Sequence, residues 1–222
     1  YREYYALPNL TNKFGDYTGA VFGFAKIMVE IITKFNPSHI AVAFDAGKHT
    51  FRNDLYDGYK ATRKPMPEDL RSQLEPVKNM LKLMNIKTIE QVGIEGDDVI
   101  GSLSRMFDIK KVIVTGDRDS YQLVNDNTTV FLNKKGLSDI KILDEKALMD
   151  EFNLTPQQMV FLKALQGDTS DNIPGVKGVG EKTALGLIQK YGDLDGVYSH
   201  IDEIKGTLKT KLETDKENAY MS

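Results

Sequence analysis

Cysteine is absent from the 222 residues, so neither a disulfide nor a thiolate metal site exists in this chain. That absence fits a reducing compartment, and a cytoplasmic location is the expectation. No apolar run approaches the ~18 residues that a membrane-spanning helix needs. No basic head followed by an apolar stretch opens the chain, so no secretory leader is read. An excess of positive charge is lacking too. The formal net charge is −3, which is not the balance of a globally basic nucleic-acid binder. Local charge therefore has to decide.

What is present is an ordinary globular composition, 41% hydrophobic and 27% charged, long enough for one large or two small domains. "YREYYALP" opens without a methionine, and "KENAYMS" stops inside a helical pattern. The sequence reads as a piece of a longer protein.

Residues 18–35, "TGAVFGFAKIMVEIITKF", predict a mostly apolar helix. "HIAVAF", residues 39–44, predicts a short buried strand that ends directly in Asp45. A helix is expected over 67–85, with Pro67 near its start, and a strand over "IKTIEQV". "KKVIVT", residues 110–115, predicts another buried strand, followed at once by "GDRD". Strand and helix alternation argues for a mostly parallel central sheet flanked by helices. After about residue 150 the strand signals stop. "TPQQMVFLKALQG" and "EKTALGLIQKYG" predict helices, the first with Thr155 as N-cap and Pro156 at its first position. The expected division is an α/β core over 1–150 and a helical subdomain over 151–222.

"GIEGDDVIG" sets Glu95, Asp97 and Asp98 ahead of an apolar run. Val99, Ile100, Leu103, Met106 and Phe107 recur at helical spacing, so the acids have a plain explanation as first-turn residues facing a helix dipole. Asp45, and Asp117 with Asp119, occupy corresponding places after other strands. Strand carboxyl ends line one crevice in an open parallel sheet. One helix dipole cannot offset that many carboxylates, whereas Mg²⁺ or Mn²⁺ takes oxygen ligands readily. Asp168 and Asp171, in "GDTSDNIPGVKGVGEKTA", read alone as turn residues and beside the others as further ligands.

Residues 48–64 carry Lys48, Arg52, Lys60, Arg63 and Lys64 against Asp54 and Asp57, a local balance of +3. Phe51, Tyr56 and Tyr59 lie among them. Such a segment is either a solvated loop with buried aromatics or a phosphate- and base-contacting arm. Gly175–Ala184, "GVKGVGEKTA", is glycine-rich and runs into a helix, where backbone N–H groups bind anions. It lacks the GKS or GKT ending of a Walker A loop and follows no strand. It reads as a helix-hairpin-helix that grips a duplex backbone through Gly175, Lys177, Gly178, Gly180, Lys182 and Thr183, or as an ordinary helix–helix turn.

The segments "YALPNLTNKFGDYTGAVFGF", "FDAGKHTFRNDLYDGYKATR", "GIEGDDVIG", "VTGDRDSYQLV" and "GDTSDNIPGVKGVGEKTA" in this order resemble the 5′-nuclease family. Its members are the bacterial 5′→3′ exonuclease domain at the N-terminus of DNA polymerase I and stand-alone flap endonucleases. The resemblance implies a PIN-like core, a helix-hairpin-helix and a metal-dependent phosphodiesterase acting on DNA with flaps, nicks or overhangs, including RNA primers on DNA. It implies metal ligation by Asp45, Glu95, Asp97, Asp98, Asp117, Asp119, Asp168 and Asp171. Phosphate contacts fall on Arg52, Tyr59, Lys60 and Arg63, with Lys60 and Arg63 nearest the chemistry, and a K⁺ ion falls at the hairpin. The family's opening strand with an Asp-Gly pair precedes the position of Tyr1, so that ligand is missing from this sequence. Ile94 and Gly96 stand where the family often has an aromatic residue and alanine. No polymerase segment is present. The expectation is a monomeric 5′→3′ exonuclease and flap endonuclease of replication and repair. A junction-binding module without catalysis and a small-substrate phosphatase are the alternatives, and the acidic set and the hairpin argue against them in turn.

Overall fold

The computed structural model describes residues 4–5, 10–133 and 140–222. The opening "YREYYALP" lies largely outside that set, as does the side chain of Lys48. The chain divides into two compact units, one of Tyr1–Thr50, Lys64–Leu103 and Asn133–Lys141, the other of Phe51–Arg63, Ser104–Leu132 and Ile142–Ser222.

In the first unit, α1 (Gly19–Phe35) is the expected apolar helix, closed by Asn36 in the left-handed region. β1 (Ala41–Thr50) pairs in parallel with β2 (Lys87–Gly93), Ala41 opposite Lys87 through Asp45 opposite Gln91. The strand was expected to end at Asp45; it runs to Thr50, with an irregular register in between. Asp45 therefore lies within β1, at its last regular pair. The helix expected over 67–85 is broken into a turn at Glu68–Arg71 and α2 (Leu74–Leu83). The cause is Asp69, whose carbonyl accepts from Ser72 Oγ at 3.1 Å and Gln73 Nε2 at 2.8 Å, while Gln73 N shifts to the Leu70 carbonyl. α3 (Gly96–Met106) follows β2. Met28, Val77, Leu81 and Ile86 form the core, with Phe24, Val42 and Phe44 packed on it.

Gln73 ties this unit together. Thr18 makes no side-chain cap at the start of α1. Instead Gln73 Oε1 accepts from Ala20 N at 2.7 Å, so a residue 53 positions away caps the helix. At 2% exposure, both ends of the amide are matched to backbone.

In the second unit, β3 (Lys111–Thr115) pairs in parallel with β4 (Thr128–Asn133), and β5 (Ile140–Leu143) lies beside β4. A 3₁₀ turn, Arg118–Leu123, connects the parallel pair. The remainder is helical: α4 (Glu145–Phe152), α5 (Gln158–Gln166), α6 (Glu181–Tyr191), α7 (Leu194–Ser199), α8 (Gly206–Thr214) and α9 (Lys216–Met221). The regular helix α5 starts at Gln158, yet Thr155 caps it as expected. Thr155 Oγ1 accepts from Gln158 N at 3.3 Å, and Gln158 Oε1 accepts from Thr155 N at 2.9 Å. Leu143, Leu148, Leu154, Leu165, Ile188 and Leu212 are fully buried.

Between α5 and α6 two glycines meet backbone to backbone. Gly167 and Gly175 have φ of +71° and +55°. A Cβ on Gly175 would lie 2.3 Å from Gly167 N, and one on Gly167 would lie 2.6 Å from the Ile173 carbonyl. Asp168 and Ile173 exchange both backbone hydrogen bonds, at 2.9 and 2.8 Å, and close the loop that the glycines bracket.

Two predictions follow from these contacts. Gln73→Leu keeps the volume but leaves Ala20 N without its acceptor and the Asp69 carbonyl with Ser72 Oγ alone, and should cost about 1–3 kcal/mol in urea unfolding. Unchanged stability would show that water replaces the amide. Gly178→Ala, where the left-handed φ of +76° is opposed only by the flexible end of Lys211, should cost about 1 kcal/mol. Gly175→Ala, opposed by backbone, should cost on the order of 3 kcal/mol or more; equal losses would contradict the assigned contact.

Candidate metal centre and nucleic-acid interface

Four of the expected ligands belong to the first unit. Asp45 Oδ1 accepts from Gly96 N at 2.7 Å, and Asp98 Oδ2 accepts from Glu95 N at 2.9 Å. Asp97 and Asp98 occupy the first turn of α3, where backbone amides point outward and the dipole is positive. The plain first-turn explanation thus holds for Asp98 at the level of contacts, and Asp45, a strand residue, meets the same helix start through Gly96 N. Gly96 is buried against β1, 3.6 Å from the Phe44 carbonyl carbon as measured from the Cβ position it lacks.

The other four belong to the second unit. Asp117 caps the 3₁₀ turn, its Oδ1 accepting from Asp119 N at 3.0 Å. Asp119 points into a pocket of charge made with Lys163 and Asp168. Lys163 Nζ lies 3.0 Å from Asp119 Oδ1 and 2.7 Å from Asp168 Oδ2. Burial pushes the Asp119 carboxyl up from its ordinary range, against the pull of Lys163. Burial pushes Asp168 up as well, but hydrogen bonds from Lys163 and Ser170 outweigh it and hold that carboxyl at about 2. Ser170 donates to Asp168 Oδ1 from both N, at 2.7 Å, and Oγ, at 2.6 Å.

Asp171 is engaged by the basic segment. Arg63 Nη2 donates to its Oδ1, Tyr59 OH donates to its Oδ2 at 3.4 Å, and Lys60 Nζ stands 4.0 Å from Oδ2. Backbone contacts reinforce the junction: Lys60 N donates to the Asp171 carbonyl at 2.8 Å, and Asn172 Nδ2 to the Gly58 carbonyl at 2.7 Å. Lys60 adopts φ of +56° to do so. Tyr59 is 7% exposed. The phosphate contact that the resemblance implies for Tyr59 is corrected: the ring is buried and the hydroxyl is turned to Asp171. Arg52 lies over the Phe51 ring at 4.6 Å.

Among the described residues, no three His, Asp or Glu side chains stand together as a metal-holding group. The physical reason within each unit is compensation. Backbone amides, Lys163, Arg63 and Lys60 occupy carboxylate oxygens that a cation would otherwise hold together. The donor chemistry still fits hard divalent ions, because Asp119 Oδ1 is buried and has no hydrogen-bond partner despite the nearby ammonium.

The hairpin expected at Gly175–Ala184 is present, with α6 beginning at Glu181 after Gly180. Lys177, Gly178, Gly180, Lys182 and Thr183 are exposed. Gly175 is not: it is buried, and its amide donates to Ser222 Oγ at 3.1 Å. Its expected DNA contact is corrected to a packing role, because no phosphate could reach that amide. Lys177 N is taken by Asp215 Oδ2 at 2.9 Å. Lys211 Nζ donates to the Gly178 carbonyl at 3.1 Å, so a tethered ammonium stands at the hairpin to which the resemblance assigns a K⁺ ion.

Lys163, Ser170 and Lys211 were missed in the sequence. A lysine in the last turn of a helix, five positions before an aspartate loop, is the signal that marked Lys163.

Comparison with known proteins matches residues 1–153 to the 5′-3′ exonuclease N-terminal resolvase-like domain and residues 154–222 to the 5′-3′ exonuclease C-terminal SAM fold. DNA polymerase I of Lactococcus lactis subsp. lactis is 40% identical over 100% of this chain and 26% of that protein. DNA polymerase I of Bacillus caldotenax is 42% identical over the same shares. The chain thus spans about a quarter of these relatives. Zinc-bound bacteriophage T5 5′-exonuclease has a TM-score of 0.74 at 21% identity, covering 95% of this chain and 81% of that one. The catalytic core of Rad2 in complex with DNA substrate has a TM-score of 0.61 at 17% identity, covering 97% and 69%. These likenesses carry the fold, a PIN-like resolvase core followed by a helical SAM fold. With both family models matched in order from the first residue to the last, the chain belongs to the 5′-3′ exonuclease family.

Proposed function

We propose that this chain hydrolyses DNA phosphodiesters at 5′ ends and 5′ flaps with the help of two divalent ions, Mg²⁺ or Mn²⁺, in the removal of primers and flaps during replication and repair. The observation that carries the reading is the Asp119–Lys163–Asp168 cluster, two carboxylates sharing one ammonium. Family membership, with zinc bound in one similar structure and a DNA substrate in the other, supports it.

Asp45, Glu95, Asp97 and Asp98 would serve one ion, and Asp117, Asp119, Asp168 and Asp171 the other. Bound ions would stabilise the attacking water and the leaving oxygen. Lys60 places a positive charge for the scissile phosphate, its backbone held in position by the Asp171 carbonyl. Arg63 is a second phosphate partner. Both now neutralise Asp171, so DNA phosphate and this carboxylate compete for the same cations. On the hairpin, the exposed Lys177, Lys182 and Thr183 beside the start of α6 are the duplex contacts of this reading. The substrate class is DNA with flaps, nicks or overhangs, RNA primers included, bound by a cytoplasmic monomer.

Asp117→Asn, which keeps an oxygen to cap the 3₁₀ turn, should abolish cleavage of a 5′-flap substrate in Mg²⁺ while duplex binding survives. Near wild-type cleavage would remove Asp117 from the site, and binding without cleavage in the parent chain would favour the non-catalytic module. Lys182→Ala should flatten the dependence of log K on log salt by ~0.9, equally on two unrelated sequences. A loss that differs between sequences would contradict a phosphate contact.

A further inference from the structure

The last turn of α5 places an ammonium between two carboxylates that the proposed function gives to a metal ion. Lys163 makes the short ion pairs to Asp119 and Asp168 from a side chain that is only one-third exposed. Its neighbours Leu162, Ala164 and Leu165 are buried, so the helix face is fixed while the lysine stem remains able to move. The two pairs are unequal. Asp168 receives a hydrogen bond from Lys163, whereas Asp119 Oδ1 is near the ammonium without one. One positive charge faces two negative ones, and the carboxylates remain a net acceptor of charge.

We propose that Lys163 is a built-in counter-ion, holding Asp119 and Asp168 together in the metal-free protein and giving way when a divalent ion binds between them. This rests on the metal assignment above and goes beyond it, since it makes Lys163 a competitor that sets affinity at that site. A lysine suits the task because its ammonium is a compact charge on a flexible stem, where arginine would lock a planar fork onto the pair. Without the lysine, two partly buried carboxylates would repel across a short gap and weaken the fold before any metal arrived. With it, the site is formed in advance and the ion pays the displacement of one side chain.

The test uses the full chain and Mn²⁺ alone, without DNA. Lys163→Met should melt at a lower temperature than the parent in chelator and gain more from added Mn²⁺. Its Mn²⁺ affinity by calorimetry should rise by about tenfold, the scale of removing one partly buried like charge. Lys163→Arg should not show that gain. If Lys163→Met is unfolded in chelator, Lys163→Gln is titrated in its place, with the same rise expected. Unchanged Mn²⁺ affinity on loss of the lysine, where Asp168→Asn in the parent does weaken Mn²⁺ binding, overturns the counter-ion and leaves the metal site standing. If neither Asp119→Asn nor Asp168→Asn changes Mn²⁺ binding, the metal assignment falls and the counter-ion with it.

Discussion

Carboxylates cannot be gathered in a folded chain without something positive between them, and that requirement shapes this molecule. Coulomb repulsion between neighbouring anions grows as water is withdrawn. The two units meet the demand by different means. In the first, backbone amides at the start of α3 receive Asp45 and Asp98. In the second, side-chain cations do the work, with Lys163 set between Asp119 and Asp168 and Arg63 on Asp171. The amide solution costs no mobile group and remains in place whatever else binds. The side-chain solution can be exchanged.

That difference explains the form of the basic segment. Its turn is held to the Ser170–Asn172 stretch by backbone and side chain together, through Lys60 N, Asn172 Nδ2 and Arg63 Nε. Tyr59 is buried beneath it and supplies a hydroxyl. Without that anchor, a run of basic residues would be a solvated arm with no fixed relation to the acids it balances. Anchored, it presents Lys60 and Arg63 from a defined place, and the unusual backbone at Lys60 is the local cost of the arrangement.

Much of this was legible in the residues. The apolar run of α1 and the β-branched β3 announced themselves by period and length, and the Thr155 cap by its place before Pro156. Each acidic group after a strand has a local explanation, and the groups stood out because they recur at corresponding places. β4 and β5 were not legible, since their strand character comes from pairing and burial that a short window does not carry. The break at Asp69 depends on side chains competing for a carbonyl, and the cap on α1 comes from Gln73, far away in sequence. Lys163 and Lys211 were not singled out, since only the fold places a carboxylate pair and a hairpin carbonyl at their tips. Gly175 looked like a phosphate contact because glycine-rich sequence does not distinguish a backbone that opens to a ligand from one that closes on another backbone.

The meeting of Gly167 with Gly175 has a consequence for how this stretch can vary. The loop between them is a closed ring, zipped by the Asp168–Ile173 bridge and pinned where the two glycines touch. Its circumference is therefore fixed. An exposed position such as Thr169 can change its side chain without disturbing the ring. An inserted or deleted residue has nowhere to be absorbed, and it would rotate Asp168 and Asp171 away from their cations together. Homologous chains that keep the two glycines should accordingly differ in the letters of this loop and agree in its length.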